Sequence, residues 1–255
     1  MKKILMILIV SLVTVQLTAQ DKYYVEFFFG TVKNANVENH IKNEKETFAK
    51  IHGDRIKRGE IVGWDMWQMV SPGDTQGTTT FMYATIYKDF DKANSWTDHI
   101  DEYVKRIAGN NAPEFRKKVN SVMADYTTMN DVITSIKGEY SKSQNTNPHY
   151  LVFNSMAVNN YRTSEYEEME NNTFKSYRTE NAKLLNWDLH KVLNVSGENK
   201  INYYTADFYE HLKDIYEDRD NTSKYSETVI NSLKEIEKVR VLKSADIFQL
   251  IDSKR

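Results

Sequence analysis

The sequence predicts an α+β protein in which one β-α-β-β-α-β unit occurs twice, with the two units packed sheet against sheet. Three observations support this fold class. Similar segments recur in the same order in the two halves, each half alternates strand-like and helix-like periodicity, and its strands carry large apolar residues on both faces. A sheet that is apolar on both faces has no fully solvated side, so a second sheet is expected to cover it.

The two halves carry matching segments at an offset that begins at 126 positions and falls to 111 by the last pair. The order of the segments is the same in both halves, and the deletions fall in predicted loops. A repeat of this kind indicates duplication of one structural unit. The matching pairs are residues 24–27 with 150–153, Glu44 with Glu170, Phe48 with Phe174, Trp64 with Trp187, 84–87 with 206–209, and 119–122 with 230–233.

The first half opens with a strand, a helix and a hairpin. Residues 23–29 form an aromatic and β-branched run that is typical of a buried strand. Residues 61–70 and 79–87 also have strand character, and the turn at 71–74 predicts that they pair. The helix before them is indicated by apolar residues at helical spacing and by a glycine at its end. That stripe consists of Val37, Ile41, Phe48 and Ile51, with Gly53 or Gly59 as the end.

Helical stripes and a closing strand complete each half. In the first half, a short closing strand is expected at 131–138. In the second half, it is expected at 239–242 or at 247–251. This element order is the ferredoxin-like motif, an antiparallel sheet with both helices on one face. The stripes are Trp96, Ile100, Tyr103 and Ile107, then Phe115, Val119 and Val122 behind Pro113, and in the second half Tyr225, Val229, Leu233 and Ile236.

The first residues predict export. Lys2 and Lys3 precede a run of about 14 mostly apolar residues, whereas a membrane-spanning helix needs about 20. The short run, with small residues around Ala19, is typical of a bacterial signal peptide. We expect cleavage to leave Gln20 or Asp21 as the first residue of a secreted or periplasmic protein. The alternative is that the segment is retained as a membrane anchor.

The predicted organisation is a signal peptide at 1–20, a first repeat at 21–142 and a second repeat at 148–255, joined by a Ser/Asn/Gln/Thr-rich linker. Removing Lys2 and Lys3 from 34 basic residues leaves 32 against 36 acidic ones, a net charge of about −4. This balance argues against a nucleic-acid partner. No membrane contact is expected after cleavage. The repeats are expected to pair within the chain, giving a monomer or a weak homodimer.

The duplicated pattern resembles the dimeric α+β-barrel superfamily, fused so that one chain supplies both halves. It is similar in particular to uncharacterised exported bacterial proteins of that type. Relatives of this fold include cofactor-independent monooxygenases, haem-degrading enzymes, small cyclases and proteins with no known activity, so the resemblance implies a fold more than a function. Apart from the repeat, it is carried by Glu44, Phe48, His52, Arg55, Gly59, Gly63 and Trp64.

The candidate site lies on the first helix. At 100° per residue, Glu44 falls in the middle of the apolar stripe, with His52 on its edge and Arg55 back at its centre. A buried carboxylate is costly unless it is paired, and burial raises its pKa. One interpretation is a ligand site between helix and sheet. The candidate ligand-binding residues are Glu44, His52, Arg55 and Trp64, and their equivalents in the second repeat are Glu170, Arg178 and Trp187.

A structural role for Glu44 is the alternative, through pairing with Arg55 or with a tyrosine hydroxyl. Glu44 and His52 are separated by about 12 Å along a helix, which argues against an acid–base dyad. A second polar cluster is expected on the other sheet face, either as the seam between the halves or as a ligand site. It comprises Asp65, Trp67, Tyr83, Thr85 and Tyr87, with Asp188, His190, Tyr203, Asp207 and Tyr209.

Two function classes follow, with a purely protein-binding role as a third. The first hypothesis is an exported, non-catalytic protein that binds a small apolar or aromatic ligand. The second is a metal-independent enzyme, monooxygenase-like or cyclase-like. The absence of cysteine excludes thiolate catalysis, and the six histidines have no HxH or HxxxH spacing, so neither a metal site nor a cofactor is expected. No Gly-rich phosphate loop and no GxSxG motif occur.

Overall fold

Eight antiparallel strands form one closed barrel in the described part of the chain. The strands are β1 (Tyr24–Lys33), β2 (Gly63–Ser71), β3 (Thr78–Tyr87), β4 (Tyr126–Ser141), β5 (Tyr150–Val158), β6 (Leu184–Val192), β7 (Tyr203–Tyr209) and β8 (Arg240–Lys254). The structure is a computed structural model that describes residues 23–73, 76–92, 96–143, 148–194, 200–220 and 226–255.

The helices lie in two groups, one in each repeat. No helix in the described ranges is both long and apolar enough to cross a membrane. The predicted signal peptide, Tyr225 and most of the predicted linker lie outside the described residues. The helices are α1 (Val37–Glu46), α2 (Phe48–Lys57), α3 (Ile100–Ala108), α4 (Ala112–Asp125), α5 (Thr163–Glu168), α6 (Lys175–Glu180), α7 (Leu212–Asp220) and α8 (Glu227–Glu237).

The strand order around the barrel is β1-β3-β2-β8-β5-β7-β6-β4. Each repeat therefore contributes the ferredoxin-like order β4-β1-β3-β2 or β8-β5-β7-β6, which confirms the predicted fold class. The two sheets join where β4 pairs with β6 and where β8 pairs with β2. The repeats thus pair within the chain to form a single barrel.

The closing strands are longer than the sequence suggested. The predicted strand at 131–138 is part of the 16-residue β4, and the two alternatives for the last strand are both parts of the 15-residue β8, apart from Val239. The physical reason is that each closing strand serves two sheets. The first part of β4 pairs with β1 and its last part with β6, while β8 pairs first with β5 and then with β2.

The first helical stripe belongs to two helices rather than one. The chain leaves α-helical geometry at Thr47, where φ is −119° and ψ is −84°, and α2 begins at the next residue. Gly53 lies inside α2. Gly59, with a φ of +69°, lies two residues after Lys57, the last residue of that helix, so it is the glycine that ends the stripe. Positive φ is the conformation that glycine adopts without steric cost.

The barrel interior is an apolar core built from both repeats. The Phe27 ring lies 5.0 Å from the Phe153 ring, and Phe153 stacks on Tyr204 at 4.7 Å. Phe248 and Trp67 belong to the same buried cluster. Aromatic contacts at these distances stabilise a seam beyond the effect of buried area alone.

The predicted composition of that seam was partly wrong. Trp67 and His190 do face the barrel interior, where His190 lies against Phe27. Tyr83 instead lies opposite Met66 in the β2–β3 register, and Asp207 lies opposite Trp187. Residues directly opposite share a sheet face, so these side chains face the helices. Thr85 and Tyr87 lie two and four residues after Tyr83 on β3, and Tyr203 and Tyr209 lie at even spacing from Asp207 on β7. These four side chains therefore also face the helices and not the barrel interior.

Replacing Phe153 with alanine should destabilise the whole barrel. Phe153 is 1% exposed, and its ring contacts rings from both repeats. A large-to-small change at such a site typically costs about 3–5 kcal/mol. The matched control is Met129→Ala, because Met129 is 55% exposed on β4 and surface changes stay within about 0.5 kcal/mol. Denaturant unfolding measures both, and equal costs would contradict an interior seam.

Candidate functional site

Glu44 lies in the last turn of α1 and is buried against the sheet of the first repeat, with 2% of its surface exposed. The hydroxyl of Tyr126, the first residue of β4, donates a hydrogen bond to Glu44 Oε1 at 2.7 Å. Glu44 Oε2 is buried and has no hydrogen-bond partner in the described part of the chain. Since buried polar atoms normally are hydrogen-bonded, this oxygen is unusual.

Three further polar side chains extend this contact into a chain. The hydroxyl groups of Tyr126 and Tyr83 are 2.9 Å apart, and Tyr83 Oη lies 2.9 Å from His40 Nε2. His40 Nδ1 lies 3.3 Å from Asp125 Oδ2, and the Asp125 side chain is 16% exposed. We call these five residues (Glu44, Tyr126, Tyr83, His40 and Asp125) the Glu44 cluster. It contains no lysine or arginine.

Burial sets the protonation of the Glu44 cluster. It raises the pKa of Glu44 to about 7, although the hydrogen bond of Tyr126 acts in the opposite direction. Burial also raises the pKa of both tyrosines well above the usual value, so they remain neutral hydroxyls. The pKa of His40 is lowered by burial, against the effect of Asp125. At neutral pH, Glu44 is therefore the group that gains or loses a proton most easily.

His52 and Arg55 form a separate arrangement on α2. The His52 ring stacks on Trp64 with centroids 5.1 Å apart and an interplanar angle of 14°. Arg55 Nη1 donates to His52 Nδ1 at 3.1 Å, and Arg55 Nη2 lies 3.4 Å from the Tyr87 hydroxyl. Burial, and secondly the charge of Arg55, lowers the pKa of His52 well below its usual value, so the imidazole is neutral.

The structure thus places the four predicted residues in one helix–sheet layer but in two networks. Glu44 contacts a tyrosine hydroxyl, which was one of the two structural alternatives, while Arg55 contacts His52 and Tyr87. The rings of Trp64 and Tyr83 stack 6.1 Å apart and connect the two networks. The layer is therefore lined by aromatic rings with a carboxyl group at one end.

The second repeat satisfies its buried carboxylate differently. Arg178 Nη1 donates to Glu170 Oε2 at 2.8 Å, and Arg178 Nε donates to Asp207 Oδ1 at 3.0 Å. The guanidinium also lies over the Trp187 ring, 4.8 Å from its centroid. Burial disfavours the charged guanidinium, but the two carboxylates outweigh this effect and raise the pKa of Arg178. This arrangement is an ion-paired network in which one guanidinium holds two carboxylates.

Register and offset show which residues replace the Glu44 cluster in the second repeat. Tyr166 occupies the position of His40, 126 residues later. In the β1–β4 pairing Val32 lies opposite Tyr126, and in the β5–β8 pairing Val158 lies opposite Arg240. Likewise Phe28 lies opposite Tyr83, whereas Asn154 lies opposite Thr205. The second repeat thus has no equivalent of the histidine or of either tyrosine.

Both repeats have a helical irregularity at the buried carboxylate, just after Glu44 in the first repeat and around Glu170 in the second. The break between α1 and α2 is at Thr47, and a π-helical segment, Met169–Phe174, lies between α5 and α6. Thr173 in that segment corresponds to Thr47 at the repeat offset. Such irregularities occur frequently at functional sites. Gly30 is also required here, because a Cβ on it would lie 2.4 Å from the Tyr126 ring.

No family model matches the chain, and no curated protein is similar to it. Solved structures do share its fold. A proposed monooxygenase from Fusobacterium nucleatum has a TM-score of 0.59 and 11% identity over 91% of this chain and 94% of its own. A second proposed monooxygenase, from Lactobacillus acidophilus, has a TM-score of 0.56 and 12% identity over 91% of this chain and 96% of its own. An anthrone oxidase-like protein has a TM-score of 0.57 and 12% identity over 92% of this chain and 94% of its own.

The chain has the fold of a dimeric α+β barrel, with both halves supplied by one chain. The closed eight-stranded barrel and the three similarities together show this fold, as the sequence resemblance implied. At 11–12% identity, the likeness establishes the architecture alone. Within the described residues of the α+β barrel, no group of three His, Asp or Glu side chains is arranged to hold a metal ion.

The sequence did not indicate four members of the Glu44 cluster. His40 could have been found, because it lies four residues before Glu44 and such pairs share a helix face. Asp125 and Tyr126 lie at the junction of α4 and β4, more than 80 positions from Glu44, and no periodicity connects them with it. Tyr83 was assigned to the opposite sheet face.

The Glu44→Gln variant should change how stability depends on pH. Because the pKa of Glu44 is raised from 4.5 to about 7, the folded state binds more protons than the unfolded state between these values. The contribution of the neutral carboxyl to the free energy of unfolding is therefore fully present below about pH 4.5 and is lost as pH rises through about 7. This change amounts to roughly 3 kcal/mol. Glutamine does not titrate, so the stability of the variant relative to the parent should increase as pH rises across this range.

Urea unfolding at several pH values measures this difference. Glu170→Gln is the matched control, since it removes the equivalent carboxylate from an ion pair with Arg178. Breaking a buried pair typically costs about 3–5 kcal/mol, so the control should be destabilised at neutral pH. If the difference between Glu44→Gln and the parent is independent of pH, the raised pKa of Glu44 is contradicted.

Proposed function

We propose that the first repeat binds a small, largely apolar or aromatic molecule between its helices and its sheet, with Glu44 as the polar partner of that molecule. The observation that carries the proposal is the buried Glu44 Oε2, which has no hydrogen-bond partner in the described part of the chain. An unsatisfied buried oxygen costs about 1–3 kcal/mol. A hydroxyl or N–H group of a ligand would satisfy it.

The surroundings of Glu44 support an aromatic ligand. The rings of Tyr83 and Trp64 stack on each other in the layer that contains Glu44. The Phe28 ring lies edge-on to the Tyr126 ring, with the ring centroids 5.4 Å apart. Binding pockets are typically apolar and aromatic with a few polar groups that fix orientation. The break at Thr47 interrupts the helical hydrogen bonds next to Glu44, so a displacement of α2 relative to α1 would open the layer at the carboxyl group.

Metal-independent catalysis is the second candidate, and the pKa of Glu44 near 7 favours it. A general base is most effective when its pKa is close to the working pH. Glu44 would remove a proton from an activated C–H group of a small aromatic substrate, and dioxygen would oxidise the carbanion. Overall, a methylene group and dioxygen would give a carbonyl group and water. The fold neighbours described as proposed monooxygenases and as anthrone oxidase-like support this class of reaction.

Glu44→Gln should weaken ligand binding while Glu170→Gln should not. A panel of phenols, anthrones and naphthols can be screened by fluorescence quenching, since Trp64 lies in the proposed site. Loss of one hydrogen bond to a charged or titrating group costs about 1.5–3 kcal/mol, so we expect affinity to fall by at least about tenfold. Equal effects of the two substitutions, or none, would contradict a ligand site at Glu44.

Oxygen consumption distinguishes the two candidates with the same proteins. If the α+β barrel is an enzyme, an anthrone-type compound should be oxidised in air by the parent and by Glu170→Gln, but much more slowly by Glu44→Gln. If it is a binding protein, the compound should bind to the parent and remain unchanged at the uncatalysed rate. Metal chelators should alter neither result.

We also propose that the protein is exported. The support is the pair Lys2 and Lys3, followed by an apolar run shorter than a membrane span. Expression with the native leader in a bacterial host should give a soluble periplasmic or secreted protein. Mass spectrometry should show Gln20 or Asp21 as its first residue. Material that retains Met1 and fractionates with membranes would contradict export.

A further inference from the structure

We propose that the Glu44 cluster is a proton relay that connects the buried carboxyl group with the protein surface through Tyr126, Tyr83, His40 and Asp125. The relay deepens the proposed function, because it gives the ligand-binding carboxyl a route for its proton while the site is closed. The juxtaposition that supports it is an unbroken series of four hydrogen-bond contacts, which starts at the buried Glu44 and ends at the partly exposed Asp125.

The distances allow proton transfer at each link. They are 2.7 Å from Glu44 Oε1 to the Tyr126 hydroxyl, 2.9 Å from there to the Tyr83 hydroxyl, 2.9 Å on to His40 Nε2, and 3.3 Å from His40 Nδ1 to Asp125 Oδ2. Glu44 and His40 Nε2 are 3.9 Å apart, beyond direct hydrogen-bonding distance. The tyrosine hydroxyls therefore carry the connection.

Hydroxyl and imidazole groups suit this role because each can donate and accept at the same time. With Glu44 protonated, the hydrogens have one consistent arrangement. The carboxyl donates to Tyr126, Tyr126 donates to Tyr83, and Tyr83 donates to His40 Nε2. The neutral imidazole then carries its proton on Nδ1 and donates it to Asp125. Each contact in the series has one donor and one acceptor.

Loss of the Glu44 proton reverses the first three links. The carboxyl O–H bond breaks and a new O–H bond forms on Tyr126, whose own proton moves to Tyr83, and the proton of Tyr83 moves to His40 Nε2. The result is a carboxylate at Glu44 and an imidazolium at His40, with two neutral tyrosines between them. Asp125 accepts a hydrogen bond from the imidazolium, and its exposed edge lets the excess proton pass to water.

The titratable groups that face the relay come from four elements packed around Glu44. They are His40 on α1, Asp125 at the end of α4, Tyr126 on β4 and Tyr83 on β3. None is a fixed cation, which would hold Glu44 ionised. In the second repeat the equivalent of His40 is Tyr166, whose hydroxyl contacts the Met156 sulfur and also interacts with Glu170. Glu170 is paired there with the cation of Arg178, so the relay belongs to the first repeat.

The test is the rate at which Glu44 gains a proton. After a rapid change from about pH 8 to about pH 5, across the raised pKa, infrared spectroscopy follows the carbonyl band of the protonated carboxyl. The band is assigned to Glu44 by its absence from Glu44→Gln. Tyr83→Phe leaves the Tyr126 contact in place but interrupts the relay, and we expect it to slow protonation by about tenfold or more.

Tyr166→Phe is the matched control, because it removes one buried tyrosine hydroxyl from the second repeat, and it should leave the rate unchanged. Asp125→Asn is a second test if Tyr83→Phe does not fold, since Asp125 is partly exposed, and it should slow protonation similarly. Lower melting temperatures with unchanged rates would overturn the relay and leave a structural network. Because no ligand is used, that outcome would leave ligand binding at Glu44 to be decided by its own experiment.

Discussion

Barrel closure by two shared strands is the constraint on which the rest of the structure depends. β4 leaves its partner β1 and continues along β6, and β8 leaves β5 and continues along β2. Each repeat therefore uses the last strand of the other to cover an edge that would otherwise be unpaired, and closure removes exposed edges. The aromatic interior follows, because the inner faces of both sheets must fill one space. Each helix layer stays outside, over its own sheet.

This division explains why the architecture was more predictable than its details. The repeat offset, the strand and helix order and the stripe from Val37 to Ile51 are local patterns, and they predicted the fold. The length of β4 is not local. Its first part, around Thr128 and Asn130, is exposed and polar, so no apolar alternation marks it as a strand. The face of Tyr83 depends on hairpin register, which the sequence around the turn did not determine.

The site was predictable to the same extent. Glu44 and Glu170 stood out because a charged residue interrupts an apolar stripe, and a pattern along one helix is enough to detect that. Their partners come from elements far away in sequence, and helical periodicity has no information about them. Arg178 was the exception, since it lies eight residues from Glu170, within two turns of the same irregular helix.

The two repeats solve one problem, a carboxyl group buried between helix and sheet, in two ways. Arg178 neutralises Glu170 and leaves a fixed ion pair under the helix. The first repeat surrounds Glu44 with groups that can share a proton but supply no fixed positive charge, and the ionised form is less stable there. An arginine would remove that cost, as it does in the second repeat, and the common barrel could accommodate it. Stability alone would therefore favour the same solution twice. A carboxyl group that titrates in one repeat only is better explained by a function that requires it, because proteins keep groups that lower stability mainly at functional sites.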